Sequence, residues 1–169
     1  MALVDEYRQP SDLPSQIPVF PLRGAILLPR ARLPLNVFEP RYLAMIDAVM
    51  SGERILGIIQ PADTGPGAPE SPPEDNAALK AVGCCGRVTA YQELDDGRLL
   101  ISLTGVCRFT TVSEHGAAAP FRRFNVDYTP FKGDFRAGAG ETDVDREALL
   151  RILRCYLDAN RLEADWSAI

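Results

Sequence analysis

The amino-acid sequence predicts a mixed α+β fold that is mainly β, and three observations predict it. Two runs rich in strand formers, KAVGCCGRVTAYQ at residues 80–92 and RLLISLTGVCRFTTV at 98–112, are joined through Asp95, Asp96 and Gly97. Asp-Gly between such runs is a hairpin signal, because glycine takes a positive φ without steric cost. Gly83, Gly86 and Gly105 stand inside these runs, where glycine marks a bulge, a bend or a close backbone approach. Long, bent, antiparallel strands point to a small closed or half-closed barrel. At Pro40 the apolar period then changes from that of a strand to that of a helix.

In chain order, residues 1–16 form a polar lead-in. IPVFPL (17–22) and LPLNVF (33–38), separated by Gly24 and by prolines, read as strands. In the helix over 40–51, Tyr42, Leu43, Ile46, Val49 and Met50 make one stripe at about 100° per residue, with Arg41, Asp47 and Ser51 outside it. Pro40 suits its first position, where a fixed φ helps and the missing N–H would have no partner. Glu39 lies near the positive end of the helix dipole. ILGIIQ (55–60) reads as a buried strand, and the proline- and glycine-rich 61–76 as a loop. After the hairpin, FRRFNVDYTPF (121–131) is one more strand, ending at Pro130. Thr142 with Asp145 resembles a capping box ahead of a helix striped by Leu149, Leu150, Leu153, Tyr156 and Leu157. Asn160 is a stop, and residues 162–169 read as the beginning of another helix, cut short.

A hydrophobic content of 46% with 24% charged residues is that of a globular protein. No run approaches the ~20 apolar residues that span a bilayer, and the N-terminus has neither a basic nor an apolar signal region. The expectation is a cytoplasmic protein with no membrane partner. Cys84, Cys85, Cys107 and Cys155 show no C-x-x-C spacing, so reduced packing thiols are expected, with Cys84 and Cys85 on opposite faces of a strand. A net charge of −5 argues against a domain built to hold nucleic acid by counterion release.

The chemistry searched for is mostly missing. There is no G-x-x-x-x-G-K-[ST], so no P-loop, and a single histidine, His115, excludes multi-histidine metal sites. His115 reads as a solvated loop residue, and Asp95 and Asp96 as turn residues. A nucleophile at Cys107 served by His115 would need the two within hydrogen-bond reach. Arg23, Arg30 and Arg32 cluster around the first turn and are read either as an anion or partner patch or as a solvated strand end. Arg108, in a strand interior, is expected to pair with Glu39, and its loss to lower the melting temperature.

The strings IPVFPL, LPLNVFEPRYLAMI, VGCCGRV, DGRLLISLTGVCRF, FRRFNVDYTPF and LLRILRCYL resemble the N-terminal, substrate-binding domain family of Lon proteases in its stand-alone bacterial form. The resemblance runs from about residue 13 onward. Phe38, Glu39, Pro40, Arg41 and Tyr42 are its most specific piece, with Gly97, Gly105, Arg108 and Phe109 as further motif positions read as structural. It implies a PUA-like six-stranded β-barrel with one inserted helix over residues 13–132, then the start of a helical C-terminal part over 142–169 that looks truncated. Position 30 is arginine where the family often has glycine, which leaves the turn geometry open. In full-length Lon proteases this region precedes an ATPase and a serine-lysine peptidase module and helps recognise unfolded or tagged polypeptides. Neither module can be matched here. Lys80 and Lys132 are the two lysines of the chain, and no catalytic, cofactor-binding or metal-binding residue is carried over.

The leading expectation is therefore a non-catalytic module that binds unfolded or tagged polypeptide, or a partner protein, in an apolar groove between barrel and C-terminal helix. The alternatives are a PUA-like nucleic-acid-binding domain, which the acidic balance weakens, and a hydrolase using Cys107 or His115.

Overall fold

The computed structural model describes residues 4, 6–62, 77–116 and 119–163. They fall into two compact units, Met1–Arg136 and Ala137–Ile169.

The first unit holds six strands, β1 (Gln16–Pro21), β2 (Arg32–Val37), β3 (Ile55–Ile59), β4 (Val82–Glu93), β5 (Leu99–His115) and β6 (Arg123–Asp127), with helix α1 (Pro40–Met50) between β2 and β3. The sheet order is β2-β5-β4-β3-β1-β6, and β6 also pairs with β5. That last pairing closes five strands into a ring, and β2 lies outside it. β5 can serve both because it is 17 residues long. Its first half carries β2, from Val37 opposite Leu99 to Arg32 opposite Thr104. Its last residues carry β6, from Thr110 opposite Asp127 to His115 opposite Arg123. The changeover falls at Gly105, beside a register shift between Cys85 and Gly86.

On β1, β3 and β4 the side chains divide by strand parity into two cores. Ile55 and Ile59 of β3 point into a cluster shared with Ile17, Val19, Cys85, Cys107, Phe109, Phe124 and Val126, which come from the other four ring strands. Leu56 and Ile58 point the other way, into a cluster with Phe20, Val37, Leu103 and the α1 residues Tyr42, Met45, Ile46 and Val49. The helix therefore packs against the face opposite the ring interior. Cys84 and Cys85 belong to different clusters, as their adjacency in a strand requires. Phe109, fully buried, sits over two glycines: a Cβ at Gly57 or Gly83 would stand 2.8 or 2.6 Å from its ring.

Three expectations shift. The lead-in is not merely polar, since Val4 and Leu13 are buried in the first cluster and Tyr7 packs on it. The last strand stops at Asp127, where Asp127 Oδ1 accepts the Thr129 N–H at 2.8 Å and Pro130 lacks a donor to continue a ladder. A 3-10 segment, Thr129–Phe135, replaces its end. In the second unit helix α2 (Arg146–Ala159) is capped by Asp145, whose side chain accepts the Ala148 N–H at 2.9 Å. Thr142 lies in a preceding 3-10 turn, Glu141–Asp143, so the capping box read from Thr142 gives way to a simple Asp cap. No residue of α2 is buried. Residues 63–76 of the expected loop, and residues 164–169 of the expected further helix, lie outside the described residues.

Candidate functional site

Two of the depressions on the first unit bear on function. The larger, about 550 Å³, lies between the start of α1 and the ends of β5 and β6, and Arg41, Tyr42, Glu114, Phe121 and Arg122 are among its walls. Of the most specific sequence piece, Phe38 to Tyr42, the residues Arg41 and Tyr42 are built into this wall. Arg41 pairs with Glu39 at 3.0 Å and lies over the Tyr42 ring at 4.6 Å. The Tyr42 ring stacks on Phe20 with centroids 4.0 Å apart, and burial pushes its hydroxyl pKa up. Phe38 is exposed. Across the cleft Arg122 donates to both Glu114 oxygens, at 2.6 and 2.7 Å, and to the Ala77 carbonyl. Those hydrogen bonds hold the Glu114 carboxyl below its usual pKa. The cleft is thus walled by matched charge pairs.

The smaller depression, about 160 Å³, is apolar. It runs between the segment 25–28 and the ends of β3 and β4. Leu27 is buried and plugs this segment into the second core, while its neighbours Ile26 and Leu28 are 67% and 57% exposed. Val82, 45% exposed, forms the opposite lip, and Ile58 and Cys84 lie between. Lys80 and Arg108 stand on the rim. Gly105 makes the approach possible, because a Cβ there would collide with the Leu28 carbonyl. The Arg30 N–H donates to the Gly105 carbonyl at 2.8 Å and the Gly105 N–H to the Ala31 carbonyl at 2.9 Å. Gly105 is therefore a close-approach glycine. Gly97, at φ +81°, is the turn glycine of the hairpin.

Arg108 does not pair with Glu39. Cys107 and Phe109 face the ring interior, so Arg108 faces out, and the Thr129–Phe135 segment brings Asp134 to it. Arg108 Nε and Nη2 donate to the two Asp134 oxygens at 2.9 and 2.8 Å, its backbone N–H donates at 3.0 Å, and its guanidinium lies 4.7 Å from the Phe131 ring centroid. Arg30 takes φ +65°, the left-handed conformation that favours glycine. Its guanidinium donates to the carbonyls of Asp134 at 2.7 Å and Phe135 at 3.2 Å. Arg23 is half-buried and Arg32 is exposed at the start of β2. The run Ala25 to Leu28, which lines the groove, escapes sequence reading because it is too short for a strand. Its signal is four apolar residues between Gly24 and Pro29, where a turn would be polar.

Cys107 and His115 do not form a nucleophilic pair. They are eight residues apart on one strand, roughly 25 Å at the usual rise. Cys107 is buried and its thiol donates to the Arg108 carbonyl; burial pushes its pKa up to about 12. His115 ends β5, exposed, with Nε2 3.1 Å from Asn125 Oδ1. Among the described residues no three His, Cys, Asp or Glu side chains are grouped to hold a metal ion, and no helix is long and apolar enough to cross a membrane.

The family profile of the ATP-dependent protease La (LON) substrate-binding domain matches residues 16–162. The Lon protease of Desulfosudis oleivorans is 29% identical over 105 residues, covering 59% of this chain and 12% of that protein. The Lon protease of Desulfatibacillum aliphaticivorans is 26% identical over 152 residues, covering 89% and 17%. This chain thus matches less than a fifth of the length of either relative. Among solved structures, the Lon N-terminal domain protein from Xanthomonas campestris superposes with a TM-score of 0.51 at 25% identity, covering 67% of this chain and 59% of that one. A profile that matches from the first strand to just beyond α2, with a solved relative of the same architecture, leads to one conclusion: the chain belongs to the substrate-binding domain family of ATP-dependent protease La.

Proposed function

We propose that this chain is a polypeptide-recognition module with no ATPase or peptidase chemistry of its own, and that it takes up apolar side chains of unfolded or tagged polypeptides. The observation that carries the reading is the groove between Ile26, Leu28 and Val82, three large apolar side chains left in water, two on the β1–β2 connection and one at the start of β4. An unfolded chain exposes the apolar side chains that a folded one hides, so such a groove separates the two by what they offer it. The ring of five strands with β2 on its flank is read as the PUA-like barrel of the family, a scaffold that holds the groove open. The family's own description as substrate-binding supports the same reading.

Titration calorimetry with a reduced, carboxymethylated, permanently unfolded protein tests it. Burying one large apolar side chain is worth about 1.5–3 kcal/mol. A charge placed in the groove by Leu28→Asp or Val82→Asp should therefore weaken binding roughly tenfold or more, with the melting curve little changed. No heat from the unmodified chain at any workable concentration would end the proposal.

A further inference from the structure

The groove is small, and its size sets what it can read. A cavity of about 150 Å³ lined by Leu, Ile and Phe accepts a benzene molecule, so one of about 160 Å³ takes a single large apolar side chain. Discrimination among polypeptides must then come from what surrounds that one residue. The rim is cationic. Lys80 is exposed, its backbone fixed by an N–H donated to the Gln60 carbonyl at 2.9 Å, and its ammonium has no ion pair among the described residues. Arg108 is the second rim cation, with its side chain 48% exposed. Its charge is matched by the Asp134 carboxylate, whereas the neighbouring Arg30 guanidinium donates to the backbone carbonyls of Asp134 and Phe135, so its hydrogen bonds bring it no countercharge. Among the described residues no aspartate or glutamate lines the groove. This local positive excess lies on a chain whose net charge is −5.

Resting on the polypeptide reading above, we infer that the groove selects an apolar residue flanked by acidic ones, with Lys80 receiving the carboxylate. An apolar side chain supplies the affinity and the acidic neighbour supplies the selection, because a lysine beside the anchor would be driven against Lys80 and Arg108. Exposed charge pairs are weak and screened by salt, so the selection should be modest and largest at low ionic strength.

Three labelled peptides test this, identical except that a single Phe is flanked by aspartates, by serines or by lysines. Their fluorescence anisotropy is measured against the full chain, Lys80→Gln and Lys80→Glu, at low and high salt. The aspartate peptide should bind about fivefold more tightly than the lysine peptide at low salt. The gap should shrink in salt and in Lys80→Gln, and reverse in Lys80→Glu. Lys80 is exposed, so both variants should keep the parent melting temperature. Equal binding of the three peptides would overturn the selection while leaving polypeptide binding intact. A preference unchanged in Lys80→Glu would overturn the role of Lys80. Failure of all three peptides to bind would remove the underlying reading together with this one.

Discussion

Arg108 grips Asp134 at three points, through its backbone N–H, Nε and Nη2, all within 3.0 Å. The pair ties the Thr129–Phe135 segment to β5, and Arg30 fastens the same segment to the loop that forms the groove. The Asp134 side chain is only 10% exposed. Removing its partner leaves a nearly buried carboxylate short of donors, at a cost of about 1–3 kcal/mol. Arg108→Ala should lower the melting temperature by several degrees, since 1 kcal/mol is worth about 2–4 °C at this size. Arg108→Lys should restore only part, because an ammonium cannot fork onto both oxygens. Calorimetric melting of both variants checks this.

The same pair gives a pH dependence. Burial pushes the Asp134 carboxyl pKa up, but the hydrogen bonds from Arg108, with the charges of Arg108 and Arg30, outweigh it and hold the pKa below its usual value. A carboxyl with a lower pKa folded than unfolded stabilises the fold above its unfolded pKa and loses that contribution as pH falls through the folded one. The melting gap between the parent chain and Arg108→Ala should be full near neutrality and narrow below about pH 4. Melting curves between pH 7 and pH 3 measure it, and a gap that widened toward acid would show the opposite sign.

Backbone geometry at the changeover of β5 predicts an ordered series. Gly105→Ala would drive a methyl into the Leu28 carbonyl, which cannot rotate away, whereas Gly116→Ala meets nothing. The first should cost about 3 kcal/mol or more, the second less than about 0.5 kcal/mol. Arg30→Ala loses the guanidinium contacts and keeps the positive φ. Arg30→Gly loses the contacts but relieves the strain, and should be about 1 kcal/mol more stable than Arg30→Ala. Urea unfolding midpoints rank all four.

Thiol chemistry should reveal one cysteine. Cys84, Cys85 and Cys107 are buried and Cys155 is exposed. Burial raises the pKa of all three interior thiols, so they stay protonated as well as covered. A thiol-specific disulfide reagent should modify one group quickly in the native chain and four in denaturant. Two or more fast groups would mean that a core opens.

The elements that local chemistry dictates were legible before any coordinates. The helix expected over 40–51 is Pro40–Met50, because Pro40 and a single apolar stripe specify both its start and its buried face. The Asp-Gly hairpin was legible for the same reason, the stereochemistry of one glycine, whereas Gly105 was legible only as a bulge, a bend or a close approach. What depends on distant partners was not. Arg108 meets a residue 26 positions later in a segment read as strand and loop. The closure of the ring by β5 and β6 depends on one strand changing partners midway, which no local period records. Tyr42 and Arg41 identified the family, yet in the structure they are taken up by Phe20 and Glu39. The groove was invisible because Ile26 and Leu28 matter through their exposure, which only the burial of Leu27 between them fixes.

Amide hydrogen exchange with and without a saturating unfolded polypeptide tests the central claim most directly. Occupation of the groove should slow exchange at residues 25–28 and 80–84 and leave residues 114–116 and 119–122, beside the larger cleft, unchanged. Slowing confined to the larger cleft, or no slowing at 25–28 although the polypeptide is bound, would contradict it.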